Sequence, residues 1–430
     1  MIYSIRKQLL TAAITMVAAA VCAQENEFTI DAQLRTRAEH NDGAITPSLQ
    51  GDQSANFINE RARLSLNFKR DNLEMRASVQ QTNVWGDDDI KLTNKHATIN
   101  EAWAKMTFGE KYFAQLGRQQ LAYDDERLLG TLDWNVNGNW HDALRLGYQD
   151  SNHQLHLILA MNQSEENNRG DYYSMTTTAN HMPYKNMQTL WYHYKSDMLP
   201  LGVSLTAINI GREVGTLNHG RTYYMQTMGT DITFRPMQWN LHAAFYYQMG
   251  KNMNARDVSA WMASAKVEYN ITPVYAVNLG YDYLTGNNGG AKSTAFDPLY
   301  GTHHKFYGAM DYFASTLSYG LHDIQAGLAV KACDQLSARL DYHYFLTAQP
   351  ATGIGGDFSR SLGHEADLQL TYKVMKDVTL TGGYSVMLAT ETLDWVKLFR
   401  DTRILGNHKT FQSWGWLQLN VNPRILFAKW

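Results

Sequence analysis

Between Phe28 and Glu39 the chain alternates without a break. Phe28, Ile30, Ala32, Leu34, Thr36 and Ala38 share one parity, while Thr29, Asp31, Gln33, Arg35, Arg37 and Glu39 share the other. Strand side chains leave on opposite faces in turn, so this segment has one apolar face and one wholly polar face. The pattern recurs at 57–69, where Arg61, Arg63, Ser65 and Asn67 oppose Ala62, Leu64, Leu66 and Phe68. It recurs at 73–80, with Glu74, Arg76, Ser78 and Gln80 against Leu73, Met75, Ala77 and Val79, and at 101–108, with Glu101, Trp103, Lys105 and Thr107 against Ala102, Ala104, Met106 and Phe108. Few folds can satisfy one charged face and one greasy face on every strand.

Similar segments follow near 112–122, 142–148, 153–163, 187–195, 201–212, 222–235, 238–249, 258–270, 274–285, 304–317, 321–331, 335–347, 362–373, 377–389 and 412–422. Two-residue breaks such as Asp71-Asn72, Ser151-Asn152 and Lys376-Asp377 have hairpin spacing. Pro200, Pro236 and Pro273 fall at junctions, where a missing donor does little harm. Long connections at 41–56, 164–185, 286–303, 348–360 and 390–411 contrast with the short ones, as in barrels with a tight end and a loop-rich end. A soluble sandwich or a propeller also uses many short strands. The polar parity is too charged for packed sheets, however, and no repeat of propeller length is visible. The expected fold is therefore an all-β, transmembrane antiparallel barrel of porin type, about 16–18 strands for this length.

Composition agrees. Aromatic residues make up 12% of the chain, including 25 Tyr and 11 Trp, and charged residues only 18%. Rings with a polar tip suit an apolar–water boundary. After residue 23 no run of 18 apolar residues occurs, so any membrane crossing is by strands.

Residues 1–23 read as an export signal: Arg6 and Lys7 form a basic start, and Leu9 to Val21 an apolar run too short to span a bilayer. Cleavage after Ala23 leaves 24–430 as a single barrel domain; acylation at Cys22 is the alternative, with a poor lead-in. Loss of Arg6 and Lys7, with no acidic residue in that segment, takes the formal charge from −3 to −5. No basic field calls for nucleic acid. Cys333 is then the sole cysteine, so no disulfide framework exists.

In a barrel the polar parity faces the lumen, because a charge on the lipid face costs about 2–4 kcal/mol at mid-depth. Arg35, Arg37, Arg61, Arg63, Arg76 and Lys105 are thus expected in the lumen, with carboxylates Asp31, Glu74 and Glu101. Arginine holds carboxylates through a planar fork and stays ionised, so such a set favours anions. Alternatively the arginines pair with their acidic neighbours and stiffen the wall.

Gly117-Arg118-Gln119, Leu121-Ala122-Tyr123-Asp124, Arg127-Leu128-Leu129-Gly130, Trp134 and Asp142-Ala143-Leu144-Arg145 resemble the alginate-export family of outer-membrane barrels. Arg61-Ala62-Arg63-Leu64, Trp85-Gly86, Glu101-Ala102-Trp103 and the segment from Ala295 to His304, leading to Gly308–Phe313, fit the same family. The resemblance implies an 18-stranded monomer in the outer membrane of a Gram-negative bacterium. It also implies a lumen rich in arginine that passes an anionic, alginate-like polysaccharide. By position, Arg118 and Arg145, with Arg63, correspond to lumen arginines of that family. Trp140-His141 precedes the Asp-Ala pair where phenylalanine is usual, which departs from the pattern.

Two other functions compete: a general diffusion porin, which lacks a reason for clustered arginines, and an outer-membrane enzyme. For the enzyme there is His303-His304, and His364 beside Glu365, but no nucleophile motif. Asp87–Asp89 and Asp124–Glu126 carry oxygen donors for calcium, yet acidic loops ordinarily stay solvated, and adjacent histidines on a strand point apart. No catalytic residue, metal or cofactor is expected. The expected partners are outer-membrane lipid, an anionic polysaccharide or small anionic solute, and the barrel-assembly machinery through the terminal Trp430.

Overall fold

The computed structural model describes residues 25–87, 97–163, 173, 184–216, 219–353, 356–398 and 406–430. The leader, Cys22 and the acidic pair Asp88-Asp89 lie outside these residues. The wall is a closed antiparallel barrel of 18 strands. Along the chain these are β1 (Asn26–Asp42), β2 (Ala55–Arg70), β3 (Leu73–Val84), β4 (Thr98–Phe108), β5 (Tyr112–Gln119), β6 (His141–Gln149), β7 (His153–Met161), β8 (Asn186–Lys195) and β9 (Leu201–Val214). They continue as β10 (Arg221–Phe234), β11 (Trp239–Lys251), β12 (Asp257–Asn270), β13 (Tyr275–Leu284), β14 (Leu321–Lys331), β15 (Leu336–Leu346), β16 (Ser361–Met375), β17 (Val378–Ala389) and β18 (Phe411–Val421 with Arg424–Lys429).

Each strand pairs with its chain neighbour, and β18 returns to β1 to close the ring. Closure leaves no free sheet edge, the condition for putting strands in lipid. β18 is interrupted at Asn422-Pro423: proline has no N–H to give, and its carbonyl accepts from Ala32 instead (3.0 Å), opposite a register shift in β1. Hairpins such as 71–72 and 376–377 lie at the end where the ladder starts and finishes, and the long loops lie at the other.

The alternation is realised as expected. Leu34, Leu64, Leu116, Leu279 and Leu417 stand exposed on the outside, while Thr29, Arg35, Arg61, Ser78 and Glu101 are buried on the inside. Tyr112, Tyr148, Trp239, Tyr269 and Tyr275 mark the hairpin end of the outer surface, and Trp261, Tyr281, Tyr283, Tyr342 and Tyr384 sit nearer the loop end. Aromatic belts of this kind flank the hydrocarbon layer of outer-membrane barrels.

The expected strand at 304–317 is absent. Those residues belong to the connection between β13 and β14, which holds only a short 3-10 turn, His303–Lys305. Tyr307, Gly308 and Asp311 take positive φ (63°, 84° and 58°), which breaks an extended run. The apolar residues there fill the interior: Tyr307, Met310, Tyr312 and Phe313 are all buried. The histidine pair is therefore not on a strand either. His303 contacts the Pro298 carbonyl (3.0 Å) and His304 contacts Asp311 (2.9 Å). A helix, α1 (Glu391–Leu398), covers this loop from above, with Lys397 donating to the Tyr312 carbonyl.

Candidate channel lumen

Two loops fold into the barrel and decide what the lumen arginines touch. The first joins β5 to β6 (120–140), and the second joins β13 to β14 (285–320). They are joined along Leu128–Gly130 and Tyr300–Thr302. Gly130 donates to Tyr300 (3.0 Å), Tyr300 to Leu128 (2.9 Å) and Thr302 to Glu126 (2.8 Å), each through the backbone. The contact is so close that a side chain at Gly301 would meet the Arg127 carbonyl at 2.2 Å. Glu126 ties the loops again, accepting from Thr302 Oγ1 (2.6 Å) and Lys305 Nζ (2.5 Å). The two loop segments singled out in the sequence thus meet in space.

The tip of the first loop lies against β1–β3. Arg61 is fully buried and donates to Asp133 Oδ1 at 2.8 Å and Gln33 Oε1 at 3.0 Å. Arg35 donates to the carbonyls of Asp133 and Asn135, and Arg37 to that of Trp134 (3.0 Å) while pairing with Glu39 (2.8 Å). The Arg37 guanidinium lies 4.1 Å over the Trp134 ring, whose other contacts are a stacked His304 and the edges of Trp414 and Trp416. Three of the expected lumen arginines therefore hold a loop.

Lower on the same wall the groups are more open. Arg63 donates twice to Gln80 Oε1 (3.0 and 2.6 Å) and has no carboxylate partner among the described residues. Arg76 pairs with Glu101 (2.6 Å) and Lys105 with Glu74 (3.5 Å). Asp31 pairs with Arg424 (3.0 Å). A cavity of about 700 Å³ opens here, lined by Asp31, Gln33, Arg61, Arg63, Arg76, Asp133, Lys376 and Arg424 among others. Arg145 also faces inward, donating to Gln115 and lying over Phe113.

Arg118 does not join them. Its cross-strand neighbours are Ala102 and Asp142, and it shares the face of Tyr112 and the exposed Leu116, so it lies outside the barrel. It sits one residue from the loop end of β5, paired through both nitrogens with Asp142 (2.9 Å each) and 5.5 Å from the Trp140 ring centre. Near that rim a charge can reach water or lipid headgroups, which removes the mid-depth penalty. The expectation of a lumen arginine at 118 is overturned by register.

Further round the ring the wall carries a feature that was missed: Asp282 on β13, Asp323 on β14, and Glu365 and Asp367 on β16 are all buried on the inner face. The same parity rule applied to the later strands would have found it. Arg127, from the first loop, reaches this wall. It is buried and bonds Asp125 (3.0 Å), Asp282 (3.0 Å), Tyr307 Oη and Ser264 Oγ (3.0 Å each). Burial opposes its charge, but Asp282 and Asp125 more than restore it. Glu365 and Asp367 accept from the backbone of Met310 (2.8 Å) and Ala309 (3.3 Å) in the second loop. The loop pair is thus a crossbar: its acidic tip meets the basic wall, and its arginine meets the acidic wall.

Residues 26–394 match the family model for alginate export. This chain belongs to the alginate-export family. Its barrel is accordingly an outer-membrane channel. Among solved structures, Pseudomonas aeruginosa OccK3 (OpdO) aligns with a TM-score of 0.62 at 12% identity, covering 93% of this chain and 96% of that one. OccK2 (OpdF) from the same organism, in complex with glucuronate, aligns at 0.60 with 11% identity over 93% and 98%. P. aeruginosa OpdK with vanillate aligns at 0.59 with 11% identity over 95% and 99%. At such identities the likeness is one of fold. No curated protein matches the chain.

Proposed function

We propose that the barrel is an anion-selective channel for a carboxylate-bearing solute of uronic-acid chemistry. The observation that carries this reading is the inner face of β1–β3, which carries five arginines, three of which (Arg61, Arg63 and Arg76) line the cavity of about 700 Å³. That volume falls in the range of about 300–1,000 Å³ usual for small-ligand sites. Arg35, Arg37 and Arg61 set the position of the crossbar and supply a positive field. Arg63, on the Gln80 amide, and Arg145, on the Gln115 amide and the Tyr123 phenol, have no carboxylate bond among the described residues and can meet a solute carboxylate. Glucuronate and vanillate, the solutes of two fold relatives, are both carboxylates, which is in keeping with this chemistry.

Family membership favours a second reading, passage of a uronate polymer. With the crossbar set as described, a polymer would need both loops displaced, whereas a monomer or short oligomer would not. A general diffusion porin would give weak selectivity and no block by uronates. Planar-bilayer recording separates these cases: anion selectivity and block by glucuronate are expected, and both should fall together in R63A and R145A. A cation-selective pore, or variants indistinguishable from the parent, would reject the proposal.

A further inference from the structure

We propose that Asp125, Asp231 and His242 form a binding site for one divalent transition-metal ion that tethers the first loop to the wall. The three come from separate elements: Asp125 from the loop 120–140, Asp231 from β10 and His242 from β11. One ligand atom from each lies within 4.8 Å of the others. His242 Nε2 is 2.6 Å from Asp231 Oδ2 and 3.8 Å from Asp125 Oδ2. Ligand bonds of about 2.0–2.2 Å would be met by a shift of roughly an ångström in these side chains.

The local charge favours a cation. Asp125 and Asp231 converge on a single imidazole, and Asp124 is the adjacent residue, held by the Trp191 indole (3.1 Å). One positive group adjoins the site: Arg127 Nε lies 3.0 Å from Asp125 Oδ2, the oxygen facing His242, and the same guanidinium is shared with Asp282. Asp125 is also preoriented, because Arg127 donates to one oxygen through its backbone (3.0 Å) and to the other through Nε (3.0 Å). Such outer partners fix the direction of a metal-ligating carboxylate. An imidazole with two carboxylates suits Zn²⁺ or Mn²⁺ better than Ca²⁺, which prefers six to eight oxygens. The competing reading is a plain His242–Asp231 ion pair with Asp125 nearby.

The test uses the full-length barrel, refolded in detergent, stripped with chelator and titrated calorimetrically with Zn²⁺, Mn²⁺ and Ca²⁺. One saturable Zn²⁺ or Mn²⁺ ion per chain is expected, with Ca²⁺ weaker. Binding should weaken at least about tenfold in D125N and in H242A, and be unchanged in H364A. D125N changes no wall residue, and Arg127 keeps its bond to Asp282, so the strand ladder stays intact. Absence of stoichiometric uptake, or equal uptake by D125N and H242A, would leave only the ion pair and overturn the site.

Discussion

Arg118 carries its charge on the outer surface, where Asp142 meets it through two bonds and Trp140 shields one side. Both partners are substantially exposed (33% and 49% of the side chain). Pairs of that kind contribute about 0–1 kcal/mol. R118A should therefore shift the urea unfolding midpoint only slightly and leave ion selectivity at the parent value, in contrast to R63A. A loss of selectivity in R118A bilayers would place the side chain in the permeation path after all. Parity alone resolves this position, because Tyr112, Ala114 and Leu116 precede it on the same face; the resemblance alone misplaced it. Neutral polar groups also stand on the outer face: Gln188, Asn209 and Gln226 bond to one another across β8–β10 (2.6 and 2.7 Å). Mutual hydrogen bonding lowers the cost of polar groups on that surface. Side-chain facing was thus legible along the strands, while the partners that make an exception tolerable were not.

At the level of elements, the strands declare themselves through a two-residue period, and the crossbar does not. Its residues are buried one by one against different walls, so no fixed period links Leu121, Leu128, Tyr300 and Met310. The false strand at 304–317 is the same effect, an apolar–polar rhythm answering to contacts inside a loop. The crossbar's firmest anchor is the buried Arg127–Asp282 pair. Removing one partner of a buried pair costs about 3–5 kcal/mol. Lys266 stays 3.7 Å from Asp282, which puts the expected loss for R127M near the lower end. About 3 kcal/mol is roughly a hundredfold in the ratio of docked to undocked loop. Limited proteolysis within 120–140 and larger, noisier single-channel currents should report it. An R127M channel as quiet and as protease-resistant as the parent would show that the anchor lies elsewhere.

For the whole molecule, net charge is a poor guide. A chain with formal charge −3 gathers five inward arginines on β1–β3 and four buried carboxylates on β13–β16, so composition averages away what space keeps apart. The early strands showed the basic patch in the sequence; closure into a ring, which brings the acidic β13–β16 patch round to within three strands of β1, appears only when the strands are counted round. On the proposed reading, the crossbar limits solute length. In liposome-swelling assays, permeation by oligouronates should fall steeply beyond the shortest members, and the longer ones should block without entering. Equal rates for short and long oligomers would mean that the loops withdraw during transport.

The ring is closed by Asn26 and Trp430, whose backbones exchange two hydrogen bonds (2.7 and 3.1 Å). Every other wall seam joins strands adjacent along the chain, while this one joins residues from its two extremes. Loop-closure entropy makes such a contact the slowest kind to form. Until β18 arrives, β1 and β17 each present an unpaired edge, which lipid cannot satisfy and another chain can. Assembly of this barrel is therefore governed by its last seam: the nascent sheet has to be sheltered as an open ribbon, and becomes safe in the membrane in a single late step.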